Sequence, residues 1–159
     1  LILPVRWNLA TAKPVLGTNP TEKLLTNGIR GSLKYSDFEW CSWADNDSVS
    51  FTIDLLKLEM LNTLILGCIT NNGMAIHKPA SVRVEVSDDN SKFREAVVQS
   101  FTSEEIFREG NFIENLSLKL GGTQARYVRV TAKGPGVCPA SHVRSGQASR
   151  IFFDEVMLE

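Results

Sequence analysis

The residues with the most chemical reach gather in three stretches. Tyr35, Phe38, Trp40 and Trp43, four of the thirteen aromatics, fall within nine residues and alternate with Asp37 and Glu39. A second stretch carries Asn71, Asn72 and His77, and a third His142 and Arg144. Aromatic faces beside amide, carboxylate, imidazole and guanidinium groups suit the holding of a polyhydroxylated ring, whose apolar face stacks while its hydroxyls need planar or charged partners. The candidate contacts are Asp37, Trp40, Trp43, Asn71, Asn72, His142 and Arg144. A packing role competes at each. Trp40, ahead of the Phe51 strand, is either a core plug or a stacking platform, because large aromatics are mostly buried. Trp43, flanked by Ser42 and Ala44, stands between the same two roles. His142 either bonds a hydroxyl or ties its loop to the sheet.

Bond-breaking chemistry finds little support. The chain has no Gly-x-Ser-x-Gly elbow, no His-Glu-x-x-His, no phosphate-binding glycine loop and two histidines in all. Cys138 and His142 lack the third, orienting group that thiol catalysis uses. Glu104-Glu105 and Asp88-Asp89 are sequence neighbours, whereas glycoside hydrolysis needs two converging carboxyls. Seventeen basic residues against eighteen acidic leave a net charge of −1, without a basic stripe for a phosphate backbone or an anionic membrane. Nucleic acid and membrane are therefore not expected as partners. No apolar run approaches the roughly 20 residues that span a bilayer. The chain starts at Leu1 without a Met or signal peptide, as expected of a mature fragment or a domain cut from something longer. Cys41, Cys68 and Cys138 cannot all pair with one another; one bridge with a free thiol, or three buried thiols, are the alternatives.

These residues need elements to position them. Asn27-Gly28 and Gly31 force a turn, since Gly and Asn tolerate positive φ. Phe51, Ile53 and Leu55 alternate with polar neighbours, as do Val82, Val84 and Val86, which predicts half-buried strands. Leu61 to Cys68 reads as a strand buried on both faces. Asp88-Asp89-Asn90-Ser91 predicts a hairpin turn with a return strand to Phe101, and Thr102-Ser103-Glu104-Glu105 a helix start that is soon spent. Thr21 to Leu25 suggests one helical turn, Gly121-Gly122 a chain reversal, Ala125 to Ala132 a strand, residues 134–149 a long loop and Ser149 to Leu158 a closing strand. Asp45-Asn46-Asp47 reads as a solvated turn, and Asn46 and Asn115 head glycosylation sequons. About eight short strands without a long helix predict one all-β domain over 1–159, an antiparallel jelly-roll β-sandwich.

Read in order, LTNGIRGS, EWCSW, VSFTIDL, VRVEVSDDNSKF, ARYVRV and RIFFDEVML resemble the discoidin, or coagulation factor 5/8 (F5/8) type C, domain, of galactose-binding-domain-like fold, over nearly the whole length. The stretch VCPASHVRSGQASRIFFDEV is similar to family 32 carbohydrate-binding modules appended C-terminally to bacterial β-N-acetylhexosaminidases (chitobiases). The resemblance implies a non-catalytic module of a larger glycoside hydrolase, secreted, periplasmic or at the cell surface. Its loops would bind glycans bearing N-acetylglucosamine or galactose, with the parent's catalytic domain as partner. A structural or protein-interaction module of the same fold is the alternative. Some sugar-binding members have a His directly after the loop Trp, where this chain has Cys41. The resemblance also implies one structural calcium, held by the carbonyls of Leu24 and Ile29 with Asn27, Ser32 and Glu155. Asn27 stands where the family has Asp, which keeps an oxygen but removes charge; the alternative is that Asn27 only caps a turn and Glu155 bonds backbone amides beside it.

Overall fold

The computed structural model describes residues 6–9, 24–43 and 48–159. The expected turn at Asp45-Asn46-Asp47, the Asn46 sequon and most of the helical turn begun at Thr21 lie outside them. Among the described residues the fold is all-β and antiparallel, with seven strands: β1 (Arg6–Leu9), β2 (Cys41–Trp43), β3 (Val49–Asn71), β4 (Ser81–Ser87), β5 (Arg94–Ser100), β6 (Asn111–Lys133) and β7 (Ile151–Leu158). Neighbours run in the order β2-β7-β3-β6-β4-β5, with β1 on β3. One four-residue helix, α1 (Ser103–Ile106), lies between β5 and β6.

The long pair β3 and β6 is the frame. Val49 to Asp54 pairs with Ala132 to Tyr127, and Thr63 to Asn71 with Lys119 to Asn111, with register shifts between the two arms. The ribbon bends there because Leu56, Gly121 and Gly122 adopt positive φ, which glycine accepts without strain. The reversal expected at Gly121-Gly122 is thus a bend: the ladder resumes at Thr123, opposite Leu61. Asp54 fixes the bend, accepting the Leu56 N–H at 2.8 Å and a bidentate Arg126 at 2.8 and 2.9 Å. Bending brings the apolar faces of both arms together. Phe51 and Ile53 of one share a core with Leu64, Leu66, Leu116 and Leu118 of the other, and with Val82, Val84, Val86 and Phe153. The alternation of β3 and β4 is the imprint of this one-sided burial.

The expected hairpin joins β4 to β5, and the helix start at Thr102 is a capping box in which Thr102 and Glu105 satisfy each other's backbone N–H. Cys41, Cys68 and Cys138 are all buried free thiols, so the bridged alternative falls.

Candidate functional site

The segment 24–43 is tied to β7 through two neighbouring carboxylates. Asp154, fully buried, accepts Arg30 Nε at 2.7 Å and the Gly31 N–H at 2.9 Å. Glu155 accepts the Gly28 N–H at 3.1 Å, while its Oε2 is buried without a hydrogen-bond partner. Burial pushes the Glu155 carboxyl up to about 7 against the pull of the Gly28 N–H. Asn27 turns its oxygen to the Ile29 N–H at 2.7 Å and its amide nitrogen to Glu39 at 2.8 Å. Ser32 serves the next turn: its hydroxyl accepts the Lys34 N–H and bonds Asp37, and its carbonyl accepts the Trp40 indole N–H at 2.9 Å. An unpaired buried carboxylate oxygen beside Asn27 and Glu39 fits a hard cation in its chemistry.

The same segment does not supply the stacking faces expected of it. Trp40 and Trp43 are each 1% exposed. Trp40 packs with Ile69, Ile76 and Phe152, and Gly31 lies so close that a Cβ there would run into the indole ring. Trp43 lies on Phe153, ring centres 5.5 Å apart. Neither ring can meet a sugar. The physical reason is shared: the segment turned at Gly28 folds Trp40 and Trp43 inward over β7, while Phe38, two residues before Trp40, stays 74% exposed. Asp37 is likewise committed, one oxygen accepting the Ser32 N–H and the other the Glu39 N–H, each at 3.2 Å. Those bonds, the Ser32 hydroxyl foremost, hold its carboxyl below the usual range.

The other two stretches do converge. Asn72 opens the 3-10 turn Asn72–Met74 at the end of β3, and its N–H donates to the Gly110 carbonyl at 3.2 Å, setting the loop after α1 beside it. Arg144 reaches from the 134–149 loop to the Gly73 carbonyl, Nε to oxygen 2.7 Å. Between these loops lies a cavity of about 380 Å³ lined by Asn72, Phe107, Glu109, Pro139, His142 and Val143, among others. Asn71, one residue earlier, is occupied on its backbone by Ile76 and does not line it.

His142, 9% exposed, sets the polarity of one wall. Its Nδ1 accepts the Arg144 N–H at 2.9 Å, so in the neutral ring Nε2 carries the proton. The Asn72 side-chain amide lies 3.2 Å from Nε2, and turning its oxygen toward the ring would meet that proton. The outer polar atom of the amide has no hydrogen-bond partner. Behind His142 stands His77, 0% exposed, its ring 4.9 Å from His142 and 5.0 Å from Phe107. Burial, then the neighbouring His142, pulls its pKa down to about 4, so it is neutral at pH 7.

Phe107 and Glu109 belong to the site without a strong mark in the sequence. The signal is present in part: the capping box at Thr102 and the turn glycine Gly110, at φ 129, bracket a tight loop whose one large apolar residue beyond Ile106 is Phe107. What the cavity offers is chemically plain. Phe107, Pro139 and Val143 supply apolar surface, and Asn72, His142, Ser141 and Glu109 supply donors and acceptors.

The chain is thus an antiparallel β-sandwich module with a mixed apolar and polar cavity among its loops. The family model of the F5/8 type C domain matches residues 10–145, and the chain belongs to that family. Among solved structures it is similar to CpGH89CBM32-5 from Clostridium perfringens, in complex with GalNAc-β-1,3-galactose, at 15% identity and TM-score 0.62 over 98% of this chain and 97% of that one. It is similar also to the C-terminal domain of a chitobiase from Bacteroides fragilis, at 17% identity and TM-score 0.56 over 100% and 95% of the two chains. A fucose binding module of Streptococcus pneumoniae matches at 18% identity and TM-score 0.56 over 99% and 95%. No curated protein matches by sequence.

Proposed function

We propose that this chain is a non-catalytic carbohydrate-binding module that holds a parent glycoside hydrolase of the β-hexosaminidase type near its glycans, outside the cytoplasm. The observation that carries the reading is the Asn72–His142 pair beside Phe107: an oriented imidazole N–H, an amide with one atom unpartnered and an aromatic ring, in a cavity of about 380 Å³. That volume lies in the range of small-ligand sites. The disaccharide held by the Clostridium perfringens module and the fucose named for the Streptococcus pneumoniae one support a sugar as the ligand class. N-acetylglucosamine and galactose are the sugars proposed here.

So small a site gives weak binding, on the order of millimolar, or about −4 kcal/mol. Tethering makes it useful, because linkage raises the effective concentration of glycan at the catalytic domain. Calorimetric titration with N-acetylglucosamine, chitobiose and galactose tests the reading. Saturable heat with one sugar that disappears in Phe107→Ala supports it; no heat from any sugar with folded protein contradicts it. The second reading, a structural module without a sugar site, is favoured by the burial of Trp40 and Trp43.

A structural calcium belongs to the same proposal. Glu155 and Asn27 would hold it with the carbonyls of Leu24 and Ile29 and the hydroxyl of Ser32. Its contribution would be charge neutralisation and a cross-link between the 24–43 segment and β7.

A further inference from the structure

Three soft or borderline metal ligands meet behind the cavity, and neither the sugar reading nor the calcium reading uses them as a set. We propose that His77, Cys138 and His142 form a binding site for a thiophilic divalent cation, zinc in the first place. One ligand atom from each lies within 4.8 Å of the other two. Tetrahedral zinc, with bonds of about 2.0–2.3 Å to nitrogen and sulfur, needs its ligands roughly 3.3–3.8 Å apart, so the triad has to close by about 1 Å.

The backbone has already brought the ligands together. Cys138 and His142 are four residues apart on one tight turn, where the His142 N–H donates to the Pro139 carbonyl at 2.9 Å. The Cys138 N–H donates to the Gln147 carbonyl at 2.8 Å and its carbonyl accepts the Gly146 N–H at 3.0 Å, which pins the turn's other side. His77 arrives from a different segment, held through its own N–H to the Arg150 carbonyl at 3.0 Å. Two ligands from one turn and one from a separate strand-like segment make a site that a folded chain offers and an unfolded one does not.

His77 is the observation that calls for a ligand. It is fully buried, and neither ring nitrogen has a partner at hydrogen-bond geometry. Unsatisfied buried polar groups are rare and costly, so the nitrogen left over once the Ile106 carbonyl takes the other needs an explanation. The Ile106 carbonyl faces the ring closely enough to favour the N–H form. One nitrogen can thus turn to that carbonyl, the usual outer partner of a metal-bound histidine, while the other binds the ion. Cys138, 2% exposed, has the Ser149 hydroxyl 3.8 Å from its sulfur as a weak contact. His142 must release either the Arg144 N–H or the Asn72 amide to join. Nitrogen and thiolate donors select zinc-like ions and reject calcium, so this site and the one at Glu155 do not compete.

The test uses reduced, metal-free protein and cobalt(II) as the spectroscopic probe. One equivalent of cobalt should give a sulfur-to-metal charge-transfer band with the visible bands of tetrahedral cobalt, both abolished by one equivalent of zinc. Cys138→Ser should lose the charge-transfer band, and His77→Gln should lose stoichiometric uptake. Cys41 and Cys68 serve as internal controls, because burial pushes both thiols up to about 12 and they lie outside the triad. No charge-transfer band in the unaltered protein, or a band that survives Cys138→Ser, overturns the proposal. X-ray absorption of the zinc-loaded unaltered protein tests the same ligands without a variant: a mixed nitrogen and sulfur shell supports the site, and an all-oxygen shell refutes it. Neither result depends on whether the cavity binds sugar.

Discussion

At Trp40 the indole is enclosed by Ile69, Ile76 and Phe152, with Gly31 against its ring. A group so placed contributes to stability and has no surface left for a ligand. Trp40→Ala should cost about 3–5 kcal/mol, the usual penalty for emptying a large aromatic from a core, read as a drop in melting temperature. Gly31→Ala should cost about 1–3 kcal/mol, because the added methyl must displace the indole. Asn72 is the opposite case, a cavity-lining side chain whose amide has one polar atom unpaired. Asn72→Ala should weaken sugar binding tenfold or more, about 1.4 kcal/mol, with the melting temperature little changed, whereas Trp43→Phe should leave sugar binding unaltered. Calorimetry and thermal melts of these variants separate the two kinds of residue.

Among the elements, the hairpin turn between β4 and β5 is governed by Asp89. Its carboxylate accepts the Lys92 and Ser91 N–H groups, each at 2.9 Å, and the Ser87 hydroxyl at 2.9 Å. Those bonds, the Lys92 N–H foremost, pull its pKa down to about 2. A carboxylate whose folded pKa lies below its unfolded value stabilises the fold in full above about pH 4, and that contribution is lost as the pH falls toward 2. Denaturant melts from pH 5 to 2 should show this slope, and Asp89→Asn should flatten it. The tie between the 24–43 segment and β7 is the other element with a testable charge. If calcium cross-links it, the ion raises the melting temperature of the unaltered protein by mass action. In Glu155→Gln the same addition should change nothing; an equal rise in both would remove Glu155 from the ligand set.

Across the whole molecule, the parts legible in the sequence are those fixed by local periodicity. Val82, Val84 and Val86 announce β4, and Thr102 with Glu105 announces α1, because strand alternation and capping depend on neighbours in the chain. Gly121-Gly122 reads as a reversal because positive φ marks a turn. That the strand continues through it depends on Leu61, some sixty residues away, keeping its partner. The candidate site divides along the same line. Asn72 and His142 are legible as polar groups in turn-rich loops, and they do meet. For the aromatic partner the sequence points to Trp40 and Trp43, while the fold places Phe107 at the cavity, since which way an aromatic faces is set by tertiary folding and not by its neighbours. Arg144 proves to be a tie between loops, bonding the Gly73 carbonyl.

At this scale a sugar is expected between the Asn72 turn, the loop after α1 and the 134–149 loop, away from the aromatic run at 35–43. A two-dimensional amide NMR titration with N-acetylglucosamine, chitobiose and galactose addresses that placement directly. Shifts for one sugar should concentrate on residues 72–73, 107–110 and 138–144, with 37–43 still. A folded domain that shows no shift at millimolar sugar, or shifts confined to 37–43, would contradict it.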